Sequence, residues 1–251
     1  MKTTKLPLIT VLFTFLLALI PVLSVAAGEL PPFKEWHNKL RDAVYNNDTS
    51  IGTINLYYLQ AREAVRSSDL DGQEKHYWLS RVAYLMGRAE QYLEHKDKAY
   101  EYYETALDDI EAALETGAFS EGYRMKSEII SQMCLVKKVG FIIANGPKVG
   151  KFAEKALELD PRNGKAIIIQ ASAKVYPPPI YGGNPEKGIK MMKKASGMPD
   201  IEKDDRFNIY SGIGVCYKKM DQPEKAARWL EKALELYPQN EYANEQYEQV
   251  K

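Results

Sequence analysis

Two segments of this 251-residue chain are near-copies of one another, KFAEKALELDPRN at 151–163 and RWLEKALELYPQN at 228–240. Weaker copies stand at 98–110 and 188–200. In each, a small or slender residue precedes an Ala by seven positions: Ala99 and Ala106, Val149 and Ala156, Gly188 and Ala195, Ala226 and Ala233. Seven residues is about two helical turns, so each pair marks one helix face from which bulk has been removed. The second Ala residues are 50, 39 and 38 apart, and Pro161, Pro199 and Pro238 are 38 and 39 apart. A period of about 20–50 residues is the mark of stacked supersecondary units. It favours an array over a helical bundle without internal repeats.

The units are helical. Apolar residues recur three and four apart throughout, and no sustained alternating run of the kind that flanks a hairpin turn interrupts them. The spacing predicts helices over 33–46, 51–67, 74–93, 97–115, 121–143, 147–158, 164–176, 185–196, 203–219, 223–236 and 240–250. Between them stand breakers such as Asn145-Gly146-Pro147, Asp160-Pro161 and Asp221-Gln222-Pro223. The last helix is polar (Glu241, Asn244, Glu245, Gln246, Glu248, Gln249), as suits a terminal cap with one face in water.

One unit carries a specific pattern. From Arg206 to Pro238, a first helix presents Tyr210, Ile213, Gly214 and Tyr217, and a second presents Ala226, Leu230 and Ala233 before Pro238. This order resembles the 34-residue tetratricopeptide repeat, with Ile for Leu and Leu for Phe. Residues 130–163, 164–199 and 206–239 are the clearest units. The first has Lys137 where the first-helix Gly belongs, and the second carries extra residues in its turn. Residues 80–116 keep Met86-Gly87, Ala99, Tyr103 and Ala106 but lack the closing Pro. The expected fold is all-α: a right-handed solenoid of about five antiparallel helix pairs with a C-terminal capping helix, in a single domain over 27–251.

The resemblance also implies a binding surface, because first helices of successive repeats line a concave groove. Matching positions put Arg81, Tyr84, Arg88 and Tyr92 on it, then Lys138 and Ile142, then Lys165, Ile168 and Ser172, and finally Asn208, Ser211, Val215, Lys218 and Lys219. Six of these are basic and none is acidic. The groove is therefore expected to take another protein or peptide bearing acidic groups.

A second candidate is the insert Tyr176-Pro177-Pro178-Pro179-Ile180-Tyr181-Gly182-Gly183-Asn184-Pro185. Three prolines favour an extended rod and the glycines a reversal, while Asn184 and Pro185 suit the start of a helix. Tyr176, Ile180 and Tyr181 are then either ligand contacts or the filling of a groove between repeats. An insertion ending in Gly-Gly resembles exported bacterial tetratricopeptide proteins, including those that accompany TRAP-type solute transporters. That likeness implies an alternative role as an accessory of solute uptake.

Export has its own signal. Lys2 and Lys5 precede an apolar run from Leu6 to Leu23, and Ser24, Val25, Ala26 and Ala27 follow. This is the order of a secretory signal peptide, with cleavage expected after Ala26 and a periplasmic or secreted destination. No Cys stands near the junction to accept lipid. Left uncleaved, the run would be the chain's expected membrane contact. Removing residues 1–26 takes away two Lys and no acid, leaving 32 basic and 34 acidic residues. Such a balance excludes a cationic nucleic-acid-binding body. Cys134 and Cys216 are too few for a disulfide scaffold and read as core thiols rather than a bridge.

Catalytic constellations are not evident. His37, His76 and His95 fall in different helices without a zinc motif, and neither Cys has a neighbouring His. Asn145 to Phe152 is a faulty phosphate loop with Phe152 in place of Ser or Thr, and Asp69-Leu70-Asp71-Gly72 is a truncated calcium loop. A non-enzymatic protein without cofactor or metal is expected. Tyr100, Tyr102, Tyr103 and Tyr123 offer a route to self-association.

Overall fold

A computed structural model describes residues 30–251. The expected signal peptide, residues 1–26, lies outside these described residues. Among these, eleven α-helices run in order: α1 (Pro32–Asn46), α2 (Ile51–Arg66), α3 (Gly72–Tyr92), α4 (Lys96–Thr116), α5 (Ser120–Val136), α6 (Val139–Leu159), α7 (Gly164–Val175), α8 (Pro185–Ser196), α9 (Lys203–Lys219), α10 (Pro223–Leu236) and α11 (Glu241–Glu248). A short 3-10 turn at Pro179–Tyr181 lies between α7 and α8.

Local chemistry sets many boundaries. The side chains of Asp71, Asn163, Asn184 and Asn240 accept the backbone N–H three residues on, at 2.8, 2.8, 2.9 and 3.0 Å. Each satisfies a donor that the first helical turn leaves free. Asp71 therefore caps α3, and its short acidic run is a helix start rather than a cation loop.

Odd- and even-numbered helices pack as five antiparallel pairs, α1 with α2 through α9 with α10, and α11 follows the last. The repeated Ala positions explain how. Ala99, Ala106, Ala156, Ala195, Ala226 and Ala233 are all fully buried. Gly214 is needed for the same reason: a Cβ there would stand 2.7 Å from Leu230 Cγ on the facing helix.

One helix boundary departs from expectation. The spacing predicts a single helix running to 143 and a new one from 147, but the chain breaks at Lys137 and Lys138, both with ψ 165°. Pro147 lies inside α6. Extension at Lys137 brings its Nζ to 3.4 Å from the centre of the Tyr100 ring, a cation–π contact that a continuing helix would forgo. Pro147 is tolerated because its face is exposed, so the Ile143 carbonyl that it leaves unpaired lies on the solvent side. Asn145 to Phe152 is consequently helix and forms no loop that could cradle a phosphate.

The ends of the array meet. The Tyr45 ring lies 5.7 Å from Phe207 and 5.3 Å from Tyr237. The Asn240 amide donates to the Tyr45 carbonyl at 2.7 Å, Tyr237 Oη donates to Asp42 at 2.9 Å, and Lys203 pairs with Asp42 at 3.3 Å. Leu40, Val44 and Tyr45 of α1 belong to one apolar cluster with Phe207, Ala233, Tyr237 and Ala243. A second cluster joins α7, α8 and α9. The first helices α1, α3, α5, α7 and α9 thus form an inner wall, each touching the next and α9 touching α1. The expected open groove is a closed ring. Both cysteines are free, Cys216 buried and Cys134 half-buried.

Candidate interaction site

The inner wall lines a small cleft that is partly open to solvent. His37, Arg81, Tyr84, Arg124, Lys165, Asp204 and Asp205 are among the residues that line it. Three first helices each bring a buried cation, and each cation meets carboxylates. Arg81 bonds Glu202 through both terminal nitrogens. Lys165 Nζ lies 2.9 Å from Glu202 and 3.7 Å from Asp205. Arg124 reaches Glu121 at 2.5 Å and Glu128 at 2.6 Å. Tyr77 donates to Glu121 at 2.8 Å, and Tyr84 to Glu128 at 3.0 Å.

The expectation of a basic, acid-free lining is therefore corrected. The acids come from the starts of α5 and α9 and from about two turns further along α5. Each end of the charged array faces a neighbour: Arg41 lies 3.8 Å from Asp204 across the closure between α1 and α9. Glu202, Asp204 and Asp205 bring their oxygens within 4.8 Å of one another. Arg81, Lys165 and Arg41 already supply the opposing charge, so the trio is explained without a metal.

Burial and charge pull these groups apart in pKa. Burial opposes ionisation of Glu121, but the neighbouring Arg124 and Lys165 charges prevail and lower its pKa to about 2. Glu202 is lowered in the same way by Arg81 and Lys165. Asp205 goes up to about 7, because burial and the Asp204 charge outweigh Lys165. Asp204 is raised, chiefly by burial. Burial and the Arg81 charge keep His37 neutral well below its usual range.

A pH dependence follows. The unfolded chain releases the Asp205 proton near 3.8, whereas the fold holds it to about 7. Folding then takes up a proton between these values, so this group's contribution to stability falls as pH rises through 7. Asp205→Asn removes that slope, and His37, which acts in the opposite sense below pH 6.5, cancels in the comparison. Urea midpoints at pH 5 and pH 8 should show the variant gaining on the parent at the higher pH. Equal pH profiles would refute this assignment.

Nearer the C-terminal ends of α1 and α3 the wall turns aromatic. Arg88 Nη1 lies 3.4 Å from Tyr45 Oη and 3.2 Å from Tyr84 Oη, and Nη2 donates to Tyr92 Oη. Its guanidinium is 5.2 Å from the Tyr45 ring centre and 5.0 Å from that of Tyr92. Among the described residues Arg88 has no carboxylate within ion-pair distance. Asn208 donates to the same Tyr45 hydroxyl at 3.4 Å.

The other expected lining residues take different places. Ile168 and Val215 lie in the second apolar cluster. Ser172 and Ser211 return their hydroxyls to backbone carbonyls of their own helices, at 2.9 and 2.8 Å. Lys218 donates to Gln246 of α11 at 3.0 Å. Lys219 Nζ caps the end of α7, 2.7 Å from the Val175 carbonyl and 2.5 Å from that of Tyr176. Lys138 and Ile142 leave the site, because the earlier break puts them at the start of a second helix. The same displacement hid Arg124, Glu121 and Glu128. Their Glu-x-x-Arg-x-x-x-Glu spacing on one helix was the available signal.

The insert is ordered at both ends. Asn184 N–H donates to the Lys174 carbonyl at 2.8 Å, and Lys174 Nζ to the Gly182 carbonyl at 3.2 Å. Gly182 has φ +86°, and a Cβ on Gly183 would collide with the Pro177 carbonyl, so both positions require Gly. The result holds Ile180 and Tyr181 82% and 75% exposed. Burial and the neighbouring Tyr242 hydroxyl push the Tyr176 hydroxyl's pKa up.

Comparison with known proteins agrees with this architecture. Residues 207–240, the last helix pair, match the family model described as Tetratricopeptide repeat. The solved structure of TTC0263, a thermophilic TPR protein of Thermus thermophilus, superposes with a TM-score of 0.50 at 17% identity, over 85% of this chain and 98% of that one. YrrB, described as a TPR protein with an unusual peptide-binding site, gives a TM-score of 0.36 at 15% identity, over 84% of this chain and 89% of that one. Among curated proteins no relative was found. The final pair thus matches the tetratricopeptide repeat model, and the chain folds as an all-helical solenoid similar to that of TTC0263.

Proposed function

We propose that this protein is an exported, non-catalytic scaffold that binds another protein or peptide through an acidic group of the partner. The observation that carries this reading is Arg88: a half-buried guanidinium ringed by three tyrosine hydroxyls, with no carboxylate of its own. A carboxylate arriving there gains charge-assisted hydrogen bonds that the other wall cations already have. Tyr92 supplies apolar area beside it, and the braced loop offers Ile180 and Tyr181 without an ordering cost. Export is supported by Lys2, Lys5, the apolar run and the small residues after it.

Peptide-display selection on residues 27–251 tests the reading. Acidic peptides should be enriched, and Arg88→Gln should weaken them at least about tenfold, or about 1.4 kcal/mol. The pair Ile180→Ser and Tyr181→Ser should weaken the same peptides. Enrichment of neutral peptides that ignore Arg88→Gln would overturn it.

A second reading, an accessory of periplasmic TRAP-type solute transport, draws on the Gly182-Gly183 insert and the interior cleft. It requires a small solute to bind there and to be lost on Arg81→Gln but retained on Arg88→Gln.

A further inference from the structure

The first two-thirds of α6 add little to the core: Phe141 packs half-buried against Tyr100, and Ala153 is the first fully buried residue. Val139 and Ile143 are 69% and 71% exposed, and Leu135, just before the break, is 64% exposed. Val139, Ile143 and Pro147 recur every four residues, so they share one outward face, and Ile142 widens it. The charges around this apolar face have one sign. From Leu135 to Ala153 the only charged residues are Lys137, Lys138, Lys148 and Lys151. None of the four is in an ion pair among the described residues. The chain without residues 1–26 is net acidic, so this cationic apolar knuckle is a local asymmetry.

We propose that the outward face of α6 docks on a membrane surface that contains anionic lipid. Leu135, Val139 and Ile143 enter the boundary between headgroups and acyl chains, while Lys138, Lys148 and Lys151 meet lipid phosphates. No helix of the described residues is long and apolar enough to cross a membrane, so the contact lies along the surface. A second copy of the chain is a poorer occupant, because a two-fold pairing of this face would set its lysines against their own copies.

Residues 27–251 contain all the described helices and both apolar clusters, so this chain tests the surface apart from the N-terminal apolar run. It should co-sediment with phosphatidylcholine vesicles containing phosphatidylglycerol and not with phosphatidylcholine alone. Raised salt should weaken binding by screening. Val139→Ser with Ile143→Ser, and separately Lys148→Glu with Lys151→Glu, should each reduce partitioning at least about tenfold with unchanged circular dichroism. Absence of binding, or binding that both variants retain, would overturn the proposal. So would self-association in sedimentation velocity that the Val139→Ser, Ile143→Ser variant abolishes without any vesicle binding.

Discussion

Tyr237→Ala should lower stability by about 3–5 kcal/mol, the range for removing a large buried aromatic side chain, and should also open the ring. Tyr237 is buried between Tyr45, at 5.3 Å, and Phe207, at 5.5 Å, while its hydroxyl donates to Asp42 at 2.9 Å. It therefore belongs both to the last pair and to the junction with α1. Its loss leaves a cavity at the junction and takes a donor from Asp42. Urea unfolding measures the first effect, and small-angle scattering measures the second as a larger radius of gyration in the folded variant. Leu230→Ala is the control. Leu230 is fully buried inside the last pair, against Gly214, so its truncation should destabilise without expanding the molecule. Equal scattering profiles for parent and Tyr237→Ala would show that the closure does not depend on this residue.

The second large effect is expected at Arg124. Its side chain is 4% exposed and holds Glu121 and Glu128, which keep 30% and 25% of their exposure. Arg124→Met leaves both acids facing apolar surroundings without their cation. A fully buried pair broken from one side costs about 3–5 kcal/mol. The partial exposure of these acids reduces that to about 2–4 kcal/mol. Combining Arg124→Met with Glu121→Gln and Glu128→Gln should recover most of the loss, because neutral amides keep hydrogen bonds to Tyr77, Tyr84 and Asn163. If the single variant is as stable as the triple, the network contributes little and the cleft is wetter than its burial implies.

The repeat was legible because its determinants are local. Ala spaced by seven, Gly214 opposite Leu230, and Asn or Asp before a helix each act within one pair, and a linear pattern preserves them. The break at Lys137 was not legible. Asn-Gly-Pro is a stronger local breaker than Lys-Lys, and the contact that favours extension at Lys137 comes from Tyr100, in the preceding pair. That one displacement moved Lys138 and Ile142 out of the site and concealed Arg124. The ring closure was hidden for a related reason. It depends on curvature summed over five pairs, and no single pair shows it. Arg81, Tyr84, Arg88 and Lys165 lie on the inner helices α3 and α7. The acid partners of Arg81 and Lys165 were missed because Glu202 and Asp205 stand at a helix start, where acids are common.

An open array of repeats behaves like a chain of beads: stability is close to a sum over neighbours, and units can be added at either end. A ring has no such freedom. Because α1 seats against α9 and the α10–α11 turn, the number of pairs is set by the need to return to the starting point. Inserting or deleting one unit would leave a gap or an overlap at the seam. For the same reason neither end of the described array is free to fray alone, since releasing α1 uncovers the last repeat. Unfolding should therefore approach all-or-none behaviour, and copies of this protein should keep their repeat count where linear arrays drift.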